Sequence, residues 1–155
     1  MARGARSVAL IREHGASALL CGWCGIELVR GLRAMLDALT GMNDPSGSGR
    51  LQAPDCVELV LVHDAAMAAR NARHLGRGGP TNVLAFPASG DVPGCLILSL
   101  DTALREAVLY GQAPSRHVMW LLAHGAGHLV GLDHGDAMDR LCREAFSRGL
   151  AALGA

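Results

Sequence analysis

The order of strands and helices along the chain predicts a single α+β domain. A length of 155 residues fits one domain with a core of its own. Apolar residues recur in some stretches with the period of a strand and in others with the period of a helix. The two kinds of element follow one another without a strict βαβ succession. Because the chain has only two Trp, two Phe and one Tyr, we expect a core of Leu, Val, Ala and Met.

The first half of the chain is predicted to form a strand, a helix, a second strand and a second helix. Residues 7–11 are a short apolar segment that fits a strand. Leucines recur every third or fourth position in residues 26–39, which indicates a helix. The run of Val and Leu at 57–62, with Glu58 as its one polar residue, is typical of a buried strand, and Asp64 can cap the helix that follows over 65–75.

The second half adds two strands and three helices. The predicted strands cover residues 82–86 and 95–99, and a loop with Pro and Gly separates them. Aspartate or serine residues mark the expected helix starts. The predicted helices cover residues 101–110 beginning at Asp101, residues 115–129 capped by Ser115, and residues 136–153.

Three histidines near the end of the fourth helix are the most informative feature of the sequence. His124 and His128 are four residues apart, so they lie on the same helix face. Gly131 can adopt a positive φ at little cost, which lets the chain turn back and bring His134 to the same point. Three imidazoles and an open position are the ligand set of a catalytic zinc site. We therefore predict one Zn²⁺ held by His124, His128 and His134, with a water as fourth ligand.

The spacing of these histidines resembles the zincin pattern H-E-x-x-H-x-x-G-x-x-H, so the helix that carries them is zincin-like. Gly125 occupies the position at which a zinc peptidase has its glutamate general base. A peptidase that works by the usual route is therefore not expected. The base would be the metal-bound hydroxide itself or a group from elsewhere in the chain.

The composition and the distribution of apolar residues indicate which partners and which cellular location to expect. The 14 basic residues, all of them Arg, balance the 14 acidic ones, which argues against coating nucleic acid through bulk charge but leaves a local Arg patch open. An odd number of cysteines, five, does not suggest a disulfide framework. No apolar stretch reaches the length of a membrane span, and Arg12, Glu13 and His14 interrupt any signal-peptide core. We expect a cytoplasmic protein with no membrane partner.

Cys21 and Cys24 form a C-x-x-C pair near the start of the first helix. Such a pair can be redox-active or can supply half of a zinc knuckle. No second C-x-x-C pair is present to complete a knuckle. We favour the simpler interpretation, two small residues near a helix start.

The histidine motif and the segments before it resemble the YbeY family, the bacterial rRNA-maturation endoribonucleases. The motif is His124-Gly-x-x-His128-Leu-x-Gly-x-Asp133-His134. Upstream, the residues 80–87 (PTNVLAFP) resemble the family segment P-T-D-V-L-S-F-P, and Asn71 precedes them as the family asparagine does. Residues 96–99 (LILS) with Glu106 and Ala107 resemble the following strand and helix. The likeness covers roughly residues 57–150.

The resemblance implies a fold, an activity and partners. The fold would be a four-stranded mixed sheet with about five helices, in one metal-dependent hydrolase domain over residues 1–155. The activity would be that of a zinc-dependent endoribonuclease specific for single strands, acting in 16S rRNA 3′-end maturation and ribosome quality control. The partners would be single-stranded precursor rRNA and the small ribosomal subunit, with no DNA expected.

Several positions depart from the family pattern. The family arginine four residues after Asn71 falls on Leu75, which can neither contact a phosphate nor catalyse. Arg73 and Arg77 lie two positions away on either side, and we predict that they take over this role, because a cation near the metal would stabilise the developing negative charge. Asp133 is the candidate to orient a ligand imidazole, although it could equally satisfy its own turn.

Other polar residues have weaker signals. His117 lies seven residues before His124 on the same helix face, where it can line the cleft or, as we favour, pack beside Trp120. His74 stands at a family tyrosine, and Asn71 and Thr81 are candidate wall residues.

Two other functions remain open at this point. One is a different zinc hydrolase on the same scaffold, such as an amidase or peptidase, with Asp133 or Asp136 as base. The other is a catalytically weakened, ribosome-associated protein with a structural metal, which Leu75 and Asn82 would suit.

Overall fold

A computed structural model describes residues 5–16 and 21–155 of the chain. It contains four strands and five helices, close to the predicted boundaries, which confirms the α+β class. The strands are β1 (Ser7–Arg12), β2 (Cys56–Val62), β3 (Val83–Phe86) and β4 (Gly94–Ser99). The helices are α1 (Gly25–Leu39), α2 (Asp64–Leu75), α3 (Leu100–Leu109), α4 (Pro114–Leu129) and α5 (Asp136–Ala151).

The four strands form one mixed sheet in the order β1-β2-β4-β3. β1, β2 and β4 are parallel, and β3 runs antiparallel to β4 at one edge, with Leu84 opposite Ile97. The short connection between β3 and β4 permits this reversal, whereas parallel neighbours need a longer crossover. The outer edge of β3 is thereby left without a neighbouring strand among the described residues.

Helices cover both faces of the sheet, as the mostly apolar sequences of β2 and β4 require. Alternate side chains of these strands point to opposite faces. Leu59, Leu61, Leu96 and Leu98 belong to the large core, shared with α1, α4 and α5. Val60, Val62 and Ile97 belong to a small second cluster with Met67 of α2 and Leu84. α4 thus lies in the middle of the larger layer.

Two glycines let α4 approach its neighbours closely. A Cβ added at Gly125 would lie 2.4 Å from Leu96 Cδ2 on the sheet. A Cβ at Gly127 would lie 2.7 Å from Cys142 Sγ on α5. Glycine lowers helix propensity by about 1 kcal/mol relative to alanine. Here close packing on two sides accounts for both residues.

The prediction that Asp64 caps α2 is wrong by one residue. The N-cap is His63, whose Nδ1 accepts a hydrogen bond from the Ala66 N–H at 3.4 Å. Asp64 is in the first turn, where its carboxylate accepts hydrogen bonds from Ser99 Oγ at 2.8 Å and Thr102 Oγ1 at 2.7 Å. The Asp64 side chain therefore bonds to residues distant in sequence and does not cap the helix.

Two other helix starts differ from the prediction. α3 is capped by Ser99, whose Oγ accepts the Thr102 N–H at 3.4 Å, and Asp101 lies inside its first turn. α4 begins at Pro114 after Ala113, so Ser115 is not its cap. Proline suits the first helical position because its missing N–H would have no partner there. α5 ends at Ala151, two residues before the predicted 153.

Cys21 and Cys24 lie at the start of α1 in different environments. Cys21 is buried in the core and burial raises the pKa of its thiol, whereas Cys24 is exposed and is the N-cap residue. The Cys24 N–H donates to Glu27 Oε2 at 2.7 Å. Within residues 5–16 and 21–155, neither cysteine belongs to a group of three or more metal-ligand side chains. None of the helices in these ranges is long and apolar enough to cross a bilayer.

Candidate metal centre and its cleft

The three predicted histidines converge at the C-terminal end of α4. His124 and His128 project from the last two turns of the helix, and His134 follows in the loop before α5. Their ring nitrogens lie within 4.8 Å of one another, and the three ring centroids are 4.7 to 5.2 Å apart. This group can hold a metal ion.

The turn after α4 sets the position of His134. Gly131 has φ of 90°, the positive value that the sequence predicted. The Gly131 N–H donates to the His128 carbonyl at 3.0 Å, and the Leu132 N–H donates to the Gly127 carbonyl at 3.0 Å. These two bonds are those of a Schellman motif, which satisfies the last carbonyls of a helix. Leu132 is buried, so packing also anchors the turn.

The imidazole of His128 is oriented by the same turn. Its Nδ1–H donates to the Leu132 carbonyl at 3.0 Å. Because a carbonyl can only accept, Nδ1 carries the proton and Nε2 is left with its lone pair for a metal ion. The sequence offered no signal for this role of a backbone carbonyl. Asp133 is exposed and lines the cavity beside the site, and its role in orienting an imidazole stays a prediction.

Burial and mutual proximity favour the neutral form of His124 and His128. Burial lowers the pKa of His124, and the neighbouring His128 and His134 lower it further. Burial and His134 also lower the pKa of His128, while the hydrogen bond to Leu132 acts in the opposite direction. A metal ion binds imidazole only in its deprotonated form. Two of the three candidate ligands are therefore favoured in the form that can bind a metal ion.

The histidines stand at one end of a cavity of about 810 Å³. One face of α4 supplies a stripe of lining residues at helical spacing, namely His117, Trp120, Leu121, His124 and His128. β3 and the segment before it form the opposite wall, and the end of α3 contributes Glu106 and Tyr110. The stripe from His117 to His128 is about 16 Å long at the rise of an α-helix.

The two candidate arginines differ in their position. Arg77 lines the cavity from the glycine-rich loop after α2. This loop begins at Gly76, the C-cap of α2, which has a left-handed conformation. Arg73 is exposed on the last turn of α2 and is not among the described residues that line the cavity. Leu75 also lines it, and is 53% exposed. Arg77 is thus the arginine that the fold brings to the cleft.

Position 125 faces the sheet and not the cavity. Gly125 is buried, and a side chain at this position would point toward Leu96. A glutamate at this position would need to displace the core before it could reach a substrate. The absence of a peptidase base is therefore built into the packing of α4.

Of the weaker candidates, Asn71, Thr81 and His117 line the cavity. His117 is buried, but its aromatic neighbour is Tyr110 at 5.7 Å between ring centroids and not the predicted Trp120, which packs on Phe146. His117 Nε2 donates to Glu106 Oε2 at 2.9 Å. Nothing in the sequence predicted this bond, because it joins two helices whose packing no local pattern reveals. His74 packs edge-on against Phe86.

Comparison with known proteins identifies the family. The family model described as Endoribonuclease YbeY matches residues 34–147. The chain belongs to the Endoribonuclease YbeY family. The resemblance predicted from the histidine motif is confirmed, and so is the enzyme class, that of the endoribonucleases.

Individual YbeY relatives match much of the chain. The Endoribonuclease YbeY of Nitratidesulfovibrio vulgaris is 42% identical over 57% of this chain and 70% of its own length. The Endoribonuclease YbeY of Oleidesulfovibrio alaskensis is 42% identical over 54% of this chain and 64% of its own length. The Endoribonuclease YbeY of Rhodospirillum rubrum is 36% identical over 83% of this chain and 71% of its own length. The matched part thus spans about two thirds of the length of these YbeY relatives.

A solved structure supports the fold independently. The solution structure of TM1509 from Thermotoga maritima superposes with a TM-score of 0.60. The match covers 96% of this chain and 92% of the other, at 18% sequence identity. At that identity the likeness concerns the fold alone.

Proposed function

We propose that this protein is a zinc-dependent endoribonuclease that cleaves single-stranded RNA. The observation that carries the proposal is the convergence of three imidazoles at the end of a cleft in a member of the YbeY family. In the cell, we propose, it matures the 3′ end of 16S rRNA in the cytoplasm together with the small ribosomal subunit. Family membership is the support for this cellular role.

The donor set fits zinc. Zn²⁺ in catalytic sites takes three protein ligands and leaves one position open, and three histidines are a known set. Within the described ranges, no thiol or carboxylate joins the three imidazoles in this cluster. Softer or harder metals would favour thiolate or oxygen ligands respectively. We therefore propose that His124, His128 and His134 together hold one Zn²⁺.

The residues around the site have distinct proposed roles. A zinc ion held in this way supplies Lewis acidity toward a phosphoryl oxygen and lowers the pKa of a coordinated water. His128 is fixed by the Leu132 carbonyl and presents Nε2 in one orientation. Arg77 supplies a positive charge on the cavity wall, where negative charge develops in the transition state of phosphodiester cleavage.

The shape of the cleft supports a preference for single strands. Sequence-specific recognition of RNA mostly uses unstacked bases, which can enter concave sites. The cavity is lined by apolar and aromatic side chains such as Phe86, Trp120 and Tyr110, and Arg77 is the one arginine among its described lining residues. A rigid duplex, which is bound mainly through its phosphates and shape, has little to contact there.

The test is a cleavage assay with zinc-loaded protein. One RNA sequence is offered as a single strand and as a duplex, with the DNA strand of the same sequence as a third substrate. We expect cleavage of the single-stranded RNA, little of the duplex, and none of the DNA.

The variant and its control make the assay decisive. His128→Ala removes one ligand and should abolish cleavage and metal retention, whereas His14→Ala removes an exposed histidine far from the site in sequence and should change neither. Intact RNA after incubation with wild-type protein that demonstrably holds one zinc ion would refute the proposal.

A further inference from the structure

The end of the cleft opposite the histidines contains a hydrogen-bonded network of four side chains. Glu106 on α3 is its centre. Asn82 Nδ2 donates to both carboxylate oxygens of Glu106, at 3.1 Å each, and His117 Nε2 donates to Oε2 at 2.9 Å. Gln112 Oε1 lies 3.2 Å from the other nitrogen of His117. The network joins α3, the turn after it, α4 and the residue that precedes β3, all of which border the cavity.

Hydrogen bonds within the protein fix the positions of the network side chains. His117 is only 5% exposed and has a partner at each ring nitrogen. Asn82 is oriented as well, because its Oδ1 accepts the Val83 N–H at 2.7 Å. Asn82 and His117 therefore keep the Glu106 carboxylate in a fixed position, which is what a recognition site needs.

One acceptor position of Glu106 is still available. A carboxylate offers about four lone-pair positions. Oε2 accepts two bonds and Oε1 accepts one. The side chain is 22% exposed, and the residue lines the cavity. Oε1 can therefore accept a further hydrogen bond from a molecule in the cleft.

The charge of the site selects the kind of group that it takes. Within the part of the chain that the structure describes, Glu106 forms no ion pair with an arginine, and its carboxylate accepts hydrogen bonds from Asn82 and His117. A carboxylate without a guanidinium partner repels phosphate and accepts hydrogen bonds from neutral donors. Nucleobase amino groups are such donors, and Glu or Asp pairs with the amino group of cytosine in nucleic-acid complexes.

Tyr110 provides a surface for the base itself. It ends α3 beside the network, lines the cavity and is 56% exposed. Its ring is held edge-on to His117, with an interplanar angle of 68°. Unstacked bases of single-stranded RNA commonly stack on such aromatic side chains.

The distance to the metal centre separates two functions along the cleft. His117 and His124 are seven residues apart on α4, which corresponds to about 10 Å along the helix axis. A phosphodiester group beside the three histidines would therefore not contact Glu106 directly. The network lies where a neighbouring nucleotide of the same strand would be.

We propose that Glu106 and Tyr110 form a nucleobase subsite, which selects a base with an exocyclic amino group next to the cleaved phosphodiester. The inference rests on the proposed function, since it takes single-stranded RNA as the substrate. Tyr110 stacks on the base and Glu106 Oε1 accepts a hydrogen bond from its amino group. Uracil, which presents carbonyl oxygens in place of that group, is disfavoured.

The test measures binding, so that it does not depend on cleavage. Fluorescently labelled oligocytidylate and oligouridylate of equal length are titrated with the full chain carrying His128→Ala, which prevents turnover. The bases of the two ligands differ in that cytosine carries an amino group where uracil carries a carbonyl oxygen. We expect cytidylate to bind at least about fivefold more tightly, a conservative value for one good base contact. Adding Glu106→Gln should abolish this preference.

Two further variants separate recognition from a merely structural role. Tyr110→Ala should weaken both ligands by about tenfold, the effect of one lost stacked base, while Tyr110→Phe should bind as the parent does. Leu109→Ala is the matched control, because Leu109 is 77% exposed and is not among the residues that line the cavity. The midpoint of thermal unfolding is recorded for every variant.

The outcomes separate this inference from the proposed function. Discrimination that depends on Glu106 would support the subsite even if wild-type protein cleaved no RNA. Equal binding of the two ligands, a preference that Glu106→Gln leaves intact, or no binding of either ligand would overturn it, also in a protein that is an active nuclease. If Glu106→Gln fails to fold, unchanged binding by Tyr110→Ala overturns it equally.

Discussion

At the scale of single residues, the surroundings of the candidate metal site favour the neutral form of His124 and His128 and orient the ring of His128. Burial and mutual repulsion lower the pKa of His124 and His128. The Leu132 carbonyl fixes the tautomer of His128. The sequence predicted the three ligands because helix geometry alone relates His124 to His128 and a glycine is needed to reach His134. It could not predict the carbonyl, whose position depends on the Schellman turn.

The lowered pKa values predict how the metal-free protein responds to acid. The folded state binds fewer protons at His124 and His128 than the unfolded state, in which the pKa is about 6.5. Their contribution to stability is therefore complete above that value and is lost as the pH falls through the folded pKa. Urea unfolding in a chelator should show a lower free energy of unfolding at pH 5 than at pH 7.5. His124→Asn should reduce this difference, whereas an equal difference in the variant would contradict the assignment.

The positions of the arginines predict opposite results for two similar substitutions. Arg77→Ala removes the cation from the cavity wall and should lower kcat/KM on single-stranded RNA roughly 100- to 1,000-fold, the range for one lost charge-stabilising donor. Arg73→Ala, on the exposed face of α2, should leave the rate close to that of the wild type. Initial rates with zinc-loaded variants measure both effects. A larger loss of kcat/KM from Arg73→Ala than from Arg77→Ala would show that the role belongs to Arg73 and not to Arg77.

At the scale of elements, α4 combines a packing face and a ligand face. Gly125 and Gly127 allow the helix to lie close to β4 and α5, while the stripe from His117 to His128 faces the cavity. Apolar periodicity was sufficient to predict this helix and the other eight elements to within a few residues. It was not sufficient for the caps, because Asp64 bonds to Ser99 and Thr102 from another part of the chain. The bond between Glu106 and His117 escaped prediction for the same reason.

The close approach of α4 to the sheet predicts an unusual effect of alanine in a helix. Gly125→Ala raises helix propensity, but its Cβ would lie 2.4 Å from Leu96 Cδ2. We expect a net loss of about 1–3 kcal/mol, typical of overpacking in a core. Urea denaturation measures the change in the free energy of unfolding.

A double-mutant cycle with Leu96→Ala identifies the cause of that loss. Leu96→Ala leaves a cavity that the new methyl group partly fills, so the double variant should lose less stability than the two single variants together. Strictly additive losses would mean that the contact between Gly125 and Leu96 is not what requires glycine.

At the scale of the whole molecule, the candidate metal centre lies where α4 meets the loop that leads into α5. The three candidate ligands come from α4 and from the loop before α5, and of these only His124 and His128 share a helix. Binding of an ion by the folded state alone should therefore stabilise the domain as a unit. The fold class and family could be predicted from the sequence, since both follow from element order and the histidine motif. The cleft could not, because its walls come from segments far apart in the chain.

Zinc should accordingly raise the midpoint of thermal unfolding of the wild-type protein. A free zinc concentration of 100 times the dissociation constant corresponds to about 2.7 kcal/mol of added stability. His128→Ala should lose most of the shift and His14→Ala should retain it. Equal shifts in wild type and His128→Ala would place the bound zinc elsewhere.

The central claim is that one zinc ion held by the three histidines makes this protein an RNA-cleaving enzyme. The most direct measurement is a titration of metal-free protein with zinc, in which cleavage of a single-stranded RNA and bound metal are followed in the same samples. We predict that the rate rises in proportion to bound zinc and reaches its plateau at one ion per chain. A fully loaded protein that leaves the RNA intact, or a rate that does not depend on the bound ion, would contradict the claim.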